Sequence, residues 1–306
     1  MDKMNMYDNF NLLIDRVLDT LSQTDLNEVK DILESINTPT LVSGVGGSYV
    51  VSNYVSKVIA NKNNIITKNI EPRDINYQDL SCYENILSVS FSGNNYGVET
   101  VFNNNLKHYL LSNNKKENVI NINYKNSIEK EYSFISLAGT LMPMAILLSY
   151  YLDNKIDIIN EILSFNIDKE ILNSILYEII SGYESNTASL YLDSTLTESG
   201  IGIPIVHNKY DFCHGRSTIG KYNDSYTILL NRCNELDDTI IDCLKDVNKK
   251  VYSLDRKYND DIINDFYLTY MCMQLSKYIA EEKNMDLSIV DYSPIVKRLY
   301  KYKGVM

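Results

Sequence analysis

Several residue types are scarce in this 306-residue chain, and each scarcity argues against a class of protein. Tryptophan is absent, and the five cysteines are odd in number and form no Cys-x-x-Cys pair, which favours a reducing compartment over a disulfide framework. With three histidines and no His-Glu-x-x-His motif, we expect no metal site and no cofactor. Lysine and arginine number 29 against 40 acidic residues, and a net charge of -11 argues against nucleic-acid binding.

Long apolar runs are also missing. The longest apolar stretch, residues 137–152, is interrupted by Thr140, Pro143 and Ser149 and is shorter than the roughly 20 residues that span a bilayer. The first residues are acids and amides where an export signal would be apolar. We therefore expect a cytoplasmic protein without a membrane segment.

Length and composition predict two domains. A hydrophobic content of 44% supports a substantial core, and 306 residues suit two domains of about 150 residues each. We place a first domain, which begins with helices, over residues 1–155. A second domain, with a connecting helix and a basic tail, covers residues 156–306.

Strands alternate with helices in the first domain. Leu13, Val17 and Leu21 recur at helical spacing, and Asp25 starts a second helix. Strands are predicted just after Pro39 and over 85–91 and 118–123, with a buried helix over 137–152 and His108 on a surface helix. This order predicts an α/β fold with a parallel, doubly wound sheet.

The second domain repeats this alternation. We predict a connecting helix over 155–182 and helices over 237–247 and 262–282. Strands are predicted over 188–192, 203–206, 226–230 and 250–254. The chain is thus predicted to contain two doubly wound, flavodoxin-like parallel-sheet units.

A glycine-rich loop follows the first predicted strand. Gly46 and Gly47 let the backbone approach a ligand closely, and the helix that follows offers free N–H groups to an anion. Ser48 adds a hydroxyl donor. A simple tight turn is the alternative, and a dinucleotide site is disfavoured because Tyr49 stands where the third glycine of G-x-G-x-x-G belongs.

A second polar loop follows the strand predicted over 85–91. The loop carries Ser90, Ser92, Gly93, Asn94 and Asn95. Ligands bind at the carboxyl ends of strands in open α/β sheets, so both loops are candidates for one site, although such a string is also an ordinary turn. Ser136 and Thr140, near a predicted helix start, are candidates to complete it.

With these two loops the chain resembles the sugar isomerase (SIS) domain family, in particular tandem members such as the isomerase half of glucosamine-6-phosphate synthase. That family carries a Gly-Thr-Ser-type loop and a later Ser-x-Ser-Gly-x-Thr loop, which together bind a sugar phosphate. The matching segments here are 46–48 and 90–95, with Asn95 where a hydroxyl is usual. The resemblance implies two SIS-type subdomains.

The resemblance extends to a Glu followed at a fixed distance by His-Gly. Glu198 lies sixteen positions before His214, which precedes Gly215. The resemblance implies that Glu198 is the base and that His214, lent by a neighbouring subunit, assists ring opening. It makes Lys297 the candidate to reach the substrate carbonyl. Arg216 replaces the usual proline and suits either a phosphate or a surface partner such as Asp211.

The expected function is therefore a sugar-phosphate isomerase, or a deaminase or deglycase of an amino-sugar phosphate, in a homodimer with shared active sites. A non-catalytic phosphosugar-binding or regulatory protein is the alternative, favoured by Asn95 and by the absence of a Ser-Thr-Lys segment. A nucleotide at the same loops is a third possibility.

Two residues near His214 have structural interpretations. Cys213 is expected to fill the core, because neighbours in a strand point to opposite faces. His207 is expected to be a structural residue at a strand end, with a ligand-facing role as the alternative.

Overall fold

The computed structural model of the chain describes residues 6–93, 96–128, 131, 133, 135–167, 174–221 and 224–288. Within them the chain forms two parallel sheets with flanking helices, which confirms the predicted doubly wound α/β fold. None of the helices in these ranges has an apolar stretch long enough to cross a bilayer.

Three helices open the chain: α1 (Met6–Asn11), α2 (Leu13–Gln23) and α3 (Leu26–Glu34). Leu13, Val17 and Leu21 are buried along one side of α2, as their spacing predicts. Asp25 caps α3, because its carboxylate accepts the backbone N–H groups of Asn27 and Glu28 at 3.1 and 3.0 Å.

The first sheet has five parallel strands in the order β2-β1-β3-β4-β5. Its strands are β1 (Thr40–Ser43), β2 (Thr67–Ile70), β3 (Asn85–Val89), β4 (Lys107–Ser112) and β5 (Ile120–Asn123). The helices of this half are α4 (Gly47–Asn63), α5 (Tyr96–Val101) and α6 (Ala138–Tyr151), and a 3-10 helix covers Pro72–Tyr77. The central strands β1 and β3 are buried along their whole length, as expected for a sheet covered by helices on both faces.

The second sheet has four parallel strands in the order β7-β6-β8-β9. Its strands are β6 (Leu176–Ser181), β7 (Ile203–Asn208), β8 (Tyr226–Arg232) and β9 (Lys250–Asp255). The helices are α7 (Asp157–Leu163), α8 (Asn186–Ser199), α9 (Lys209–Cys213), α10 (Glu235–Asp246) and α11 (Asp261–Glu282), with 3-10 helices over Tyr183–Ser185 and Arg216–Lys221.

The strand predicted over 188–192 is wrong, because this segment lies inside α8. A short apolar run fits a strand or a buried helix equally well, and here a distant side chain decides the outcome. The carboxylate of Asp265 accepts the backbone N–H groups of Thr187 and Ala188 at 3.4 and 3.2 Å, which caps the first turn of α8. The first strand of the second sheet is instead β6, which lies within residues 155–182, the segment predicted as a connecting helix.

The helix predicted around His108 is also wrong, because His108 belongs to β4. The strand was missed because the polar residues at 103–105 precede it, although its inner residues, 109–111, are buried. His108 is partly buried: its ring stacks on Phe102 with centroids 5.0 Å apart, and its Nε2 lies 3.1 Å from Oδ1 of Asn104.

The two halves share one apolar core. Helices α4 and α6 of the first half pack against α8 and α11 of the second, and a single cluster of buried side chains extends across all four. A buried ion pair crosses the same interface, with Nζ of Lys57 on α4 lying 2.5 Å from Oδ2 of Asp265 on α11. This packing lays α8 beside the glycine loop at the start of α4.

Candidate active site

The glycine loop joins β1 to α4 in a turn that requires glycine at two positions. A Cβ on Gly44 would lie 2.2 Å from the carbonyl oxygen of Ser48, so no other residue fits there. Gly46 has a φ of +58° and a ψ of -129°, a conformation that side chains disfavour. The amides of Ser48 and Tyr49 donate back to Val45 and Gly46, so an anion would be bound by other groups of this helix start.

The second polar loop leaves the neighbouring strand. β1 and β3 pair in parallel with Ser43 opposite Ser88, so both loops emerge side by side at the carboxyl edge of the sheet. Ser90 is 1% exposed and its Oγ accepts the N–H of Gly93 at 3.1 Å, while Ser92 is exposed. Gly93 has a φ of +69°. Asn94 and Asn95, both predicted to bind the ligand, lie outside the described residues.

The start of α6 forms a third wall next to the glycine loop. The Thr140 hydroxyl donates to Oγ of Ser136 at 3.1 Å, and a Cβ on Gly47 would lie 2.9 Å from Cβ of Ser136. Glycine at position 47 therefore lets the two helix starts approach closely. The Glu131 carboxylate caps α6 by accepting N–H groups of Leu137 and Ala138.

Burial raises the pKa of Glu131 above its usual range, and the bonds to helix amides and the nearby Arg16 oppose that rise. The Glu131 carboxylate accepts the amides at the start of α6 and offers no donor to a phosphate, so an added phosphate would have to be held by the glycine loop and the hydroxyl groups.

Helix α8 of the second half closes the cleft. The side chains and backbone that line it are Gly47, Val50, Ile135, Ser136, Thr140, Tyr191, Ser194, Thr195 and Glu198. The structure thus brings Glu198 to the glycine loop and to the hydroxyls of α6. The Glu198 side chain is exposed, and its Oε1 accepts a hydrogen bond of 2.6 Å from Ser194, one turn earlier.

Tyr191 also faces this cleft, and the sequence analysis did not identify it. It is 2% exposed, and its hydroxyl has no hydrogen-bond partner of normal geometry among the described residues. Burial raises the pKa of this hydroxyl well above its usual range, and the charges of Glu131 and Glu198 add to the rise. Tyr191, Ser194 and Glu198 are spaced so that a helix puts them on one face, and this spacing could have identified Tyr191. It was missed because the segment was predicted to be a strand.

The other candidate site residues lie elsewhere. His214 ends α9 and Arg216 starts a 3-10 helix; both are exposed, and neither lines the Glu198 cleft of the same chain. Lys297 lies outside the described residues. The expectation that Cys213 fills the core is wrong, because α9 replaces the expected strand and leaves Cys213 exposed.

His207 lies inside the second half, away from both polar loops. It is 3% exposed on β7, and its Nε2 lies 3.6 Å from Oε2 of the buried Glu178 on β6. This placement agrees with the structural role expected for His207.

A larger cavity, of about 340 Å³, lies between the two halves, next to Lys57 of the first half and Tyr183 and Asp260 of the second. Its charged groups already have partners within the protein: Lys57 pairs with Asp265, and Asp260 accepts the Tyr151 hydroxyl at 2.8 Å and two amides of α11. This cavity is therefore a poor candidate for an anionic ligand. No group of three His, Cys, Asp or Glu side chains in the described ranges is arranged to hold a metal ion.

No protein-family model matches the chain, and no curated protein matches it. Solved structures do match. The C-terminal domain of glucosamine-fructose-6-phosphate aminotransferase from Francisella tularensis is 13% identical with a TM-score of 0.66, over 92% of this chain and 97% of that one. A candidate phosphosugar isomerase from Clostridium difficile is 17% identical with a TM-score of 0.70, over 97% and 98%.

Tagatose-6-phosphate ketose/aldose isomerase from Escherichia coli is 12% identical to this chain, with a TM-score of 0.66 over 93% of this chain and 96% of that one. At these identities the likeness establishes a shared fold along nearly the whole length of each chain.

Proposed function

We propose that this chain is a phosphosugar isomerase-type enzyme in which Glu198 moves a proton between adjacent carbons of a sugar phosphate. One observation carries the proposal: packing of the two halves puts the Glu198 carboxylate in the same cleft as the Gly47 helix start. An anion-binding element and a base therefore face one another. The solved structures of similar fold include proteins named for acting on sugar phosphates, which supports this substrate class.

The phosphate would bind at the carboxyl edge of the first sheet. Helix α4 is 17 residues long and follows Gly46, a cap residue with positive φ, and its dipole favours an anion at its start. The loop that carries Ser90 and Ser92 leaves the adjacent strand and supplies further polar groups. Asn94 and Asn95 remain predicted contributors to this loop.

The chemistry is a proton transfer that does not change the net charge of the substrate. In an open-chain aldose phosphate, the Glu198 carboxylate takes the proton from C2, and the electrons of that bond form an enediolate with the carbonyl. The proton returns to C1 while the O2 proton moves to O1, which gives the ketose. With an amino sugar, the same enolisation followed by addition of water releases ammonia.

No histidine is among the described residues that line the Glu198 cleft. His214 lies on the surface at the end of α9, outside the Glu198 cleft. We therefore propose that His214 acts in the cleft of a second copy, in a homodimer with shared sites. Lys297 and Arg216 remain candidate contacts to the carbonyl and phosphate oxygens.

The test is turnover of a panel of hexose and amino-hexose phosphates by wild type and by Glu198→Gln. A positioned acid–base group contributes about 10²- to 10⁴-fold, so Glu198→Gln should lose at least 100-fold in kcat with little change in KM. Glu235→Gln, on the exposed start of α10, is the matched control and should retain full activity. Full activity of Glu198→Gln would rule out Glu198 as the base.

A binding or regulatory protein is the second candidate, favoured by the position of His214 outside the cleft. Wild type that binds a sugar phosphate in a thermal-shift assay, yet incorporates no solvent deuterium into it, would establish this alternative and exclude the enzyme.

A further inference from the structure

Tyr191 carries a buried hydroxyl without a hydrogen-bond partner among the residues that the structure describes. Its side chain is 2% exposed, and its hydroxyl is enclosed without a hydrogen-bond partner in the described part of the chain. Thr195, one turn along α8, lies close enough to influence the hydroxyl but does not form a bond of normal geometry with it. Such groups are rare because they lose hydration without compensation, so each one calls for an explanation.

The position of Tyr191 provides that explanation. Tyr191 lines the same cleft as Glu198 and lies two helical turns before it, on the same face of α8. The charges of Glu131 and Glu198 add to the rise in the pKa of its hydroxyl. The unsatisfied group therefore lies in the same cleft as the proposed base.

Two other hydroxyl donors of this cleft are already engaged. Ser194 donates to Glu198 at 2.6 Å, and Thr140 donates to Ser136 at 3.1 Å. Glu198 itself must act as an acceptor while it removes a proton. Tyr191 differs from these hydroxyls because it is buried without a hydrogen-bond partner among the described residues.

We infer that Tyr191 is a second catalytic residue, which donates a hydrogen bond to the substrate oxygen next to the carbon that Glu198 deprotonates. Negative charge develops on this oxygen as the enediolate forms, and a fixed donor in a site of low polarity stabilises it without transferring its own proton. A phenol suits this task because burial keeps it protonated. The inference rests on the proposed function and assigns the residue that stabilises the transition state.

The test is Tyr191→Phe, which removes one oxygen and keeps the ring. We expect kcat to fall by about 10- to 1,000-fold with KM nearly unchanged, as for loss of a donor to a developing oxyanion. Because the hydroxyl has no partner in the described part of the chain, the Tm should stay the same or rise. A purely structural tyrosine would show the opposite pattern, a lower Tm with retained kcat.

Tyr270→Phe is the matched control. Tyr270 is a buried tyrosine on α11 whose hydroxyl donates to the Leu163 carbonyl at 3.2 Å, so this variant should lose stability and keep kcat. Full kcat in Tyr191→Phe, or a loss of kcat matched by a loss of folded protein, would overturn the inference.

Two further results separate this inference from the proposed function. An inactive Glu198→Gln beside a fully active Tyr191→Phe would leave the function standing and remove only the role of Tyr191. If wild type turns over no sugar phosphate, the proposed function fails, and the role of Tyr191 as a donor to the enediolate fails with it.

Discussion

At the scale of single residues, Glu178 shows how polar partners hold a buried carboxylate. Glu178 is 1% exposed between β7 and β8, where it accepts a hydrogen bond from Ser225 and lies 3.6 Å from His207. Burial alone would raise the pKa of Glu178, but the interactions with His207 and Ser225 and the charge of Lys249 lower it below its ordinary value of 4.5. The folded protein therefore favours the ionised carboxylate.

Because Glu178 is ionised in the folded protein, it should stabilise the fold at neutral pH and lose this effect in acid. A carboxyl whose pKa is lower in the folded state stabilises the fold above its ordinary pKa, and that stability is lost as the pH falls through the folded pKa. Glu178→Gln should lower the free energy of unfolding at pH 7 by about 1–3 kcal/mol. The difference from wild type should shrink below about pH 4.5.

Urea unfolding at pH 7 and at acidic pH measures this difference. Glu235→Gln, an exposed exchange of the same chemistry, should show no comparable difference at either pH. A gap between wild type and Glu178→Gln that is constant across the acid range would contradict the assignment.

At the scale of elements, helix starts in both halves are capped by carboxylate side chains. Asp25, Glu131 and Asp265 each place a carboxylate on backbone amides at the start of a helix. The glycine loop leaves the start of α4 without such a carboxylate from its cap residue, Gly46. A helix start without a protein anion is the one best suited to an external anion.

The contribution of such a cap to stability can be tested at the start of α11. Asp260 accepts the amides of Ile262 and Ile263 at 2.9 and 3.0 Å and also accepts the Tyr151 hydroxyl at 2.8 Å. Asp260→Ala should therefore cost about 1–2 kcal/mol in the free energy of unfolding, measured by urea titration. Asp260→Asn keeps an acceptor and should recover most of that loss. An alanine variant as stable as wild type would show that α11 is held by packing alone.

At the scale of the whole molecule, the proposed site exists only because two halves share a core. Glu198 belongs to the second half and the glycine loop to the first, and the contacts of α4 with α8 hold them together. The buried pair of Lys57 and Asp265 crosses the same boundary. Because the site lies between two halves, its geometry depends on their relative position.

The proposed shared site predicts complementation between two inactive variants. Glu198→Gln and His214→Ala should each be inactive alone. After unfolding and refolding together, half of the dimers are mixed and each holds one intact site, so activity should return to about one quarter of wild type. The measurement is turnover of the refolded mixture against each variant refolded alone. Mixtures no more active than the separate variants would place His214 and Glu198 of one chain in one site.

The sequence by itself determined the parallel α/β architecture and the two polar loops. Glycine at positions 44 and 46 is required by local backbone geometry, and a buried strand followed by a helix has a pattern that neighbouring residues establish. The spacing of Glu198 and His214 likewise needed no structure to be noticed. These features are readable because their causes lie within a few residues along the chain.

Only the tertiary structure decided what faces the ligand cleft. The segment around Tyr191 forms a helix whose first turn is capped by Asp265, far along the chain, and this helix has Tyr191 and Glu198 on one face. The approach of α8 to Gly47 depends on a core shared by both halves, which no local pattern records. Long-range packing and one buried ion pair, rather than local propensity, bring the proposed base, the unsatisfied hydroxyl and the helix start together.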